Sequence, residues 1–166
     1  KEYKFTECSK QQITSNNQIK NVWVAKYYKL YDGIYNPYEV LTSNFAISNN
    51  KIEISSIVET SDGTYDNNPT VITQEEATQI AINKEKELTN NEILNINTES
   101  GFEDKKYEGN LMIDKNKVRK VWIISIIHKN KEVKINNNID VLRLLDKKYY
   151  IDASTGEILG GEQINA

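Results

Sequence analysis

The sequence has 166 residues, of which 27% are charged and 38% hydrophobic, and its formal net charge is −3. This composition excludes a wholly disordered chain, and the small negative charge excludes the strong positive field that nucleic-acid phosphates attract. No apolar run approaches the roughly 20 residues that a membrane-spanning helix needs.

The first half of the chain contains mostly strand signals. Residues 1–20 are polar and weakly periodic, which indicates a flexible leader or a peripheral first helix. NVWVAKYYKLY, residues 21–31, is rich in β-branched and aromatic side chains and predicts a well-buried strand. Asn49 and Asn50 separate two apolar runs and predict a hairpin. The turn-rich stretch 61–70 then predicts a boundary between an N-terminal, mostly β region (1–68) and a second domain (69–166).

TQEEATQIAINKEKEL, residues 73–88, predicts a helix. Thr73 and Glu76 have capping-box spacing, in which the hydroxyl and the carboxylate each satisfy a free backbone N–H at the start of a helix. A narrow apolar stripe lies along one helical face and suits close packing on a sheet. Its members are Ala77, Ile80, Ala81, Lys84 and Leu88.

The second half of the chain returns to strand patterns. Residues 92–114 indicate loosely specified strands or loops. KVRKVWIISIIHK, residues 117–129, is apolar on both faces and predicts a central strand of an antiparallel sheet. NKEVKINNNID, residues 130–140, indicates a polar loop. The order of elements predicts an α+β fold with one main helix packed on an antiparallel sheet, and the Val-Trp pairs at positions 22–23 and 121–122 suggest two related halves.

Residue types that carry catalysis are sparse. The one histidine, His128, stands at a strand end without a neighbouring nucleophile motif, and its position is typical of an ordinary strand-end residue. The carboxylates of the helix, including Glu85 and Glu87, indicate a solvated face. We therefore predict a protein that is not an enzyme and needs no metal or cofactor, with an unrecognised carboxylate site as the alternative.

Tyrosines crowd residues 27–38. A tyrosine ring has a flat apolar face and a polar tip, which suit a sugar or a protein interface. Tyr27, Tyr31, Tyr35 and Tyr38 are therefore the candidate partner-binding surface. The alternative is that tyrosines of this segment fill the core or cover sheet edges.

YYIDASTGEIL, residues 149–159, predicts a strand, a tight turn and a second strand. Asp152 is placed to accept hydrogen bonds from the turn amides, and Gly156 suits a position with positive φ. Tyr150, Asp152, Thr155 and Gly156 are the residues of this structural turn signature.

Three segments together resemble the PepSY domain: ITQEEATQIAINKE (72–85), VWIISII (121–127) and YYIDASTGEILGG (149–161). The resemblance extends over residues 69–161, and the closing segment is its most specific part. It implies a non-catalytic module of the kind found in propeptides of secreted metallopeptidases and in bacterial cell-surface proteins. The signature residues are then structural and none is catalytic.

We accordingly expect an exported, extracellular or surface-tethered protein. The absence of an initiator Met fits a mature form from which a leader has been removed. Its expected role is to bind an extracellular peptidase or cell-wall hydrolase and to restrain it, without a cofactor or nucleic acid. The alternatives are a module that binds wall polysaccharide through the tyrosines and a structural domain of a surface lipoprotein.

Overall fold

The computed structural model describes residues 2–15, 18–108, 111–115, 117–135 and 138–164. The chain divides into two compact units, Lys1–Thr64 (unit 1) and Tyr65–Ala166 (unit 2). The boundary expected from the sequence lies between residues 68 and 69, in the connector that follows the last strands of unit 1.

The predicted α+β fold class is wrong, because the chain is mostly β. The described residues form thirteen strands and a single helix. Two stretches that the sequence analysis did not assign to strands account for much of the difference. Residues 1–20, expected to be a leader or a helix, contribute β1 (Tyr3–Ser15) and the start of β2 (Gln18–Tyr31), and the expected loop at 130–140 contributes β10 (Lys131–Ile135) and the start of β11 (Asn138–Leu142). Strand pairing supplied by a neighbouring segment overrides weak local patterning.

Unit 1 is built on one antiparallel sheet of four long strands in the order β1-β2-β3-β4, where β3 is Ile34–Ser48 and β4 is Lys51–Ser61. Asn49 and Asn50 have φ values of 49° and 58°, so the predicted hairpin is present with the backbone twist of a two-residue turn. Asp32 and Gly33, with φ values of 50° and 80°, make the equivalent turn between β2 and β3. These two turns bring three long strands into register.

Unit 2 contains the main hydrophobic core. Its larger sheet has the order β13-β12-β9-β5, and β6 also pairs with β9. These strands are β5 (Thr64–Tyr65), β6 (Ile93–Glu103), β9 (Lys117–His128), β12 (Asp146–Asp152) and β13 (Ile158–Ile164). The predicted central strand is confirmed, since β9 pairs antiparallel with β12 and β6. Two small hairpins, β7 (Lys106–Glu108) with β8 (Leu111–Asp114) and β10 with β11, complete the described strands.

The helix α1 (Gln74–Leu88) packs on this sheet. Its capping box is present as predicted: the Glu76 amide donates to Thr73 Oγ1 at 3.2 Å, and the Thr73 amide donates to Glu76 Oε2 at 2.8 Å. Ala77 and Ala81 are fully buried against residues of β9 and β12, namely Ile124, Ile126, Tyr149 and Ile151. The small alanine side chains let the helix approach the sheet closely. No helix among the described residues has the length and hydropathy to span a membrane.

Candidate interaction surface

One face of the unit 1 sheet is apolar, and we call it the apolar face. Residues directly opposite each other on paired strands point to the same side of a sheet. The register therefore places Trp23, Phe45 and Ile54 in one row of this face. Ile47 and Ile52 form the adjacent row on the side of the β3–β4 turn. Ala25, Ser43 and Ile57 form the adjacent row on the opposite side.

The apolar face is largely uncovered. Ile52, Ile54, Ile57, Ile47 and Phe5 are each between 53% and 66% exposed. The buried hydrophobic residues among those described in unit 1 are Val24, on the opposite side of the sheet, and Ala25, which lies in the apolar face itself. A sheet with one hydrophobic face gains stability only when that face meets another layer. The described part of unit 1 contains four long strands and no helix to provide that layer.

A bulge in β4 aligns the isoleucines. Ile54 pairs with Phe45 and Ser56 pairs with Asn44, which leaves Ser55 as an extra residue. Ile57 consequently lies on the same face as Ile54, although strict alternation would place it on the opposite face. Ser55 Oγ donates to the Asn44 carbonyl at 3.0 Å, and Asn44 Nδ2 donates to Ser56 Oγ at 2.8 Å. These polar bonds fix the register that gathers the apolar side chains.

A polar network adjoins the apolar face near the β2–β3 hairpin. Lys29 Nζ lies 2.5 Å from Glu39 Oε1, and the Tyr31 hydroxyl donates to Glu39 Oε2. Asn36, which is fully buried, donates to the same oxygen at 3.1 Å. Burial acts to raise the pKa of the Glu39 carboxyl, but its bonds to Lys29 and Tyr31 outweigh burial and lower it. The network is therefore a satisfied structural element that holds the β3 bulge.

The four candidate tyrosines do not form one surface. Tyr27 lies on the apolar face, where its ring meets Phe5 edge to face at 5.7 Å, whereas Tyr31 belongs to the polar network. Tyr35 pairs with Leu30 on the other side of the sheet, and Lys4 lies 5.7 Å from its ring centre. Tyr38 lies in the bulged part of β3, and its amide donates to Asn36. Tyr27 alone contributes to the apolar face.

The turn signature is bonded internally in unit 2. Asp152, which is buried, accepts hydrogen bonds at Oδ1 from the amides of Ser154 and Thr155, at 2.8 and 3.2 Å. Gly156 has a φ of 77°, and its amide donates to the Asp152 carbonyl at 2.8 Å. Thr155 Oγ1 accepts from the Glu157 amide. Tyr150 lies outside the turn, in β12, and its hydroxyl donates to Glu162.

Glu85 was expected on a solvated face, and this prediction is wrong. Its side chain is 2% exposed and accepts a hydrogen bond from the Tyr149 hydroxyl. Lys147 Nζ lies 3.4 Å from Glu85 Oε2. A sequence signal existed, because Ala77, Ala81 and Glu85 recur at intervals of four residues and so lie on one helical face. The predicted stripe included Lys84 and Leu88 but not Glu85, whereas Leu88 is 57% exposed and the buried helix residues are Ala77, Ala81 and Glu85.

His128 is the partner of Glu85. Its Nε2 lies 3.3 Å from Glu85 Oε1, and its Nδ1 lies 2.9 Å from the Leu145 carbonyl oxygen. A carbonyl oxygen only accepts, so Nδ1 carries a proton and donates it to this bond. The His128 side chain is 1% exposed. The Glu85, His128 and Tyr149 cluster ties the end of α1 to β9 and β12. Glu85 and His128 also line a cavity of about 300 Å³, together with Lys147.

The remaining clusters offer no metal site. Within the described ranges, no group of three or more His, Cys, Asp or Glu side chains is arranged to hold a metal ion. In the part of the chain that the structure describes, the buried atoms Glu85 Oε1, Asp104 Oδ1 and His128 Nε2 lack a hydrogen-bond partner. The apolar face of unit 1 is the feature that exposes the most large hydrophobic side chains in one sheet. No family model matches the sequence, and no curated protein matches it.

Proposed function

We propose that this chain is a non-catalytic, exported module that binds an extracellular peptidase or cell-wall enzyme and inhibits it by occlusion. The observation that carries the proposal is the uncovered apolar face of unit 1. The resemblance of residues 69–161 to PepSY domains supports the class of partner, because such modules accompany secreted peptidases.

The apolar face has the dimensions of an interaction site. Four strands about 4.8 Å apart, each contributing about seven residues at about 3.4 Å per residue, give this side of the sheet roughly 450 Å² in all, of which the apolar rows are one part. Exposed apolar patches of a few hundred Å² mark protein contacts. The face also carries charge on its two edge strands, from Lys10 opposite Trp23 on β1 and from Glu59 opposite Leu41 on β4. Charged groups beside apolar rows are usual at interfaces, whose rims are polar.

Inhibition in this proposal requires no bond chemistry. A partner that buries an isoleucine side chain of this face gains about 1.5–3 kcal/mol for each one fully removed from water. Two or three such side chains contribute about 3–9 kcal/mol, which only offsets the cost of association, so a stable complex also needs the aromatic and aliphatic residues of the neighbouring strands. The rigid sheet then blocks the substrate cleft of the enzyme for as long as the complex lasts.

Neighbouring positions of β4 provide the test. Ile57 lies on the apolar face opposite Ser43, whereas Val58, opposite Thr42, lies on the other side of the sheet. Both side chains are exposed, at 60% and 46%. The variants Ile57→Glu and Val58→Glu therefore place the same charge on opposite faces of one strand.

The full chain and both variants would be immobilised and exposed to secreted and wall-associated proteins of the source organism. The recovered peptidase or wall hydrolase would then be purified and its turnover measured with increasing amounts of each variant. We expect the unchanged chain and Val58→Glu to inhibit it, and Ile57→Glu to lose affinity tenfold or more. An enzyme that binds without losing activity would contradict the proposal, as would equal loss in both variants or the recovery of no such enzyme.

A further inference from the structure

Unit 2 contains a cleft whose lining includes neither the turn residues Asp152, Thr155 and Gly156 nor the members of the Glu85 cluster. It has a volume of about 180 Å³ and lies where β12 and β13 meet the segment around β7. Its lining includes Glu103, Lys105, Tyr107, Tyr150, Gly160 and Glu162. Pockets for drug-sized ligands measure roughly 300–1,000 Å³, so this cleft suits a single ring of a ligand.

Tyr107 forms one wall of the cleft. Its ring packs over Gly160, where an added Cβ would lie 3.0 Å from Tyr107 Cδ2. Glycine at this position therefore lets the ring lie close to the backbone of β13, and the ring remains 38% exposed. The negative π-face of an exposed aromatic ring attracts C–H groups of a ligand.

The acceptors of the cleft are held in position. Glu162 Oε1 accepts from the Tyr150 hydroxyl at 2.9 Å and lies 3.2 Å from Lys148 Nζ. These two bonds lower the pKa of the Glu162 carboxyl. Glu103 Oε1 accepts from the amides of Asp104 and Lys105 at 3.1 and 3.0 Å. Burial, together with the neighbouring Asp104, raises the pKa of the Glu103 carboxyl, so a ligand that donates hydrogen bonds to Glu103 offsets lost hydration.

The local charges favour a neutral ligand over a cation. Glu103 and Glu162 line the cleft together with Lys105, and Lys148 bonds to Glu162. A neutral ligand must then supply several hydroxyl donors for the carboxylates and a C–H face for Tyr107. A pyranose ring has both features on opposite parts of the same small molecule.

We propose that this cleft is a saccharide-binding subsite, in which a sugar ring stacks on Tyr107 and donates hydroxyl hydrogen bonds to Glu103 and Glu162. The site is separate from the tyrosines of residues 27–38, and it does not depend on the protein partner proposed for unit 1. A module with both properties would hold an enzyme at a polysaccharide.

Calorimetric titration of the full chain with the β-1,4-linked N-acetylglucosamine tetramer and with maltotetraose would test this subsite. Tyr107→Ala should weaken binding of the preferred tetrasaccharide tenfold or more, while Tyr107→Phe, which retains the ring, should stay within about threefold of the unchanged chain. Glu103→Gln, which leaves the Tyr107 ring in place, should also weaken binding of the preferred tetrasaccharide.

Tyr35→Ala is the matched control, because Tyr35 is 39% exposed and Tyr107 is 38% exposed, and the two lie in different units. Circular dichroism, with emission from Trp23 for unit 1 and from Trp122 for unit 2, would verify that each variant remains folded. No heat of binding with either tetrasaccharide, equal weakening by Tyr35→Ala and Tyr107→Ala, or preferential binding of butylammonium would overturn the subsite.

Discussion

The two units use the same kind of residue in opposite ways. In unit 2, Ile124, Ile126 and Ile151 are fully buried beneath α1. In unit 1, Ile52 and Ile54 occupy equally regular strands and are exposed. Strand pairing is thus satisfied in both units, and the difference is whether a second layer covers the apolar side chains.

This difference shows that strand formation and core formation are separate. Backbone hydrogen bonds between long strands satisfy the polar groups of unit 1 without burying its isoleucines. The hydrophobic contribution that stabilises unit 2 internally is available in unit 1 for an external contact. Three predictions test the contrast, and each tryptophan serves as a reporter, since Trp23 lies in unit 1 and Trp122 in unit 2.

The largest expected effect is at Ile151. Ile151→Ala removes a fully buried side chain and should lower the free energy of unfolding of unit 2 by about 2–5 kcal/mol. Ile54→Ala should change that of unit 1 by less than about 0.5 kcal/mol, because an exposed side chain loses little on truncation. Urea unfolding, followed through Trp122 in a Trp23→Phe background and through Trp23 in a Trp122→Phe background, measures both. Comparable losses at both positions would show that the apolar face is covered in solution.

A smaller effect is expected at alkaline pH. Burial, with the hydrogen bond to Glu85, raises the pKa of the Tyr149 hydroxyl above its ordinary value near 10. Because the folded state holds this proton more tightly than the unfolded state, the associated stability is complete below about pH 10 and is lost as pH rises further. The limiting slope is about 1.4 kcal/mol per pH unit for one proton.

Tyr149→Phe should remove this contribution. Urea midpoints of the two proteins, read at Trp122, should run parallel between about pH 7 and 9 and converge above about pH 10. If the urea midpoints of the unchanged chain and of Tyr149→Phe stay parallel through the alkaline range, Tyr149 has the same pKa in the folded and unfolded states.

The smallest effect is expected at two glycines with similar backbone geometry. Gly156 has a φ of 77° and Gly33 a φ of 80°. An added Cβ at Gly156 would lie 3.3 Å from Ile72 Cδ1 and 3.4 Å from Ile80 Cδ1, whereas nothing lies within 4 Å of one at Gly33. Gly33→Ala should lower the free energy of unfolding by about 1 kcal/mol through backbone strain alone. Gly156→Ala should lower it by that amount and by the additional cost of crowding Ile72 and Ile80. Thermal unfolding of each unit gives both values, and equal costs would mean that the isoleucines adjust freely.

Features set by local sequence were predicted well. The capping box at Thr73 and Glu76 depends on groups three residues apart, and the Asn49–Asn50 turn depends on two residues that tolerate positive φ. The central position of residues 117–128 followed from apolar side chains on both faces. In each case, the residues that specify the feature are neighbours in the chain.

Features that depend on distant partners were missed. Residues 3–15 pair with β2 although their own pattern is polar, so the fold class was wrong. The β4 bulge that brings Ile57 beside Ile54 depends on Asn44, and the burial of Glu85 depends on His128 and Tyr149. The cleft residues Tyr107 and Gly160 are also far apart in sequence and meet because the β7–β8 hairpin contacts β13.

The sequence by itself determined the helix, its cap, the tight turns and the strand character of the most apolar segments, because backbone propensity and short-range hydrogen bonds act over a few residues. Only the tertiary structure decided which apolar side chains are covered, since burial depends on whether a second layer meets the sheet. It covered Ile124 and Ile151 with α1 and left Ile52 and Ile54 exposed.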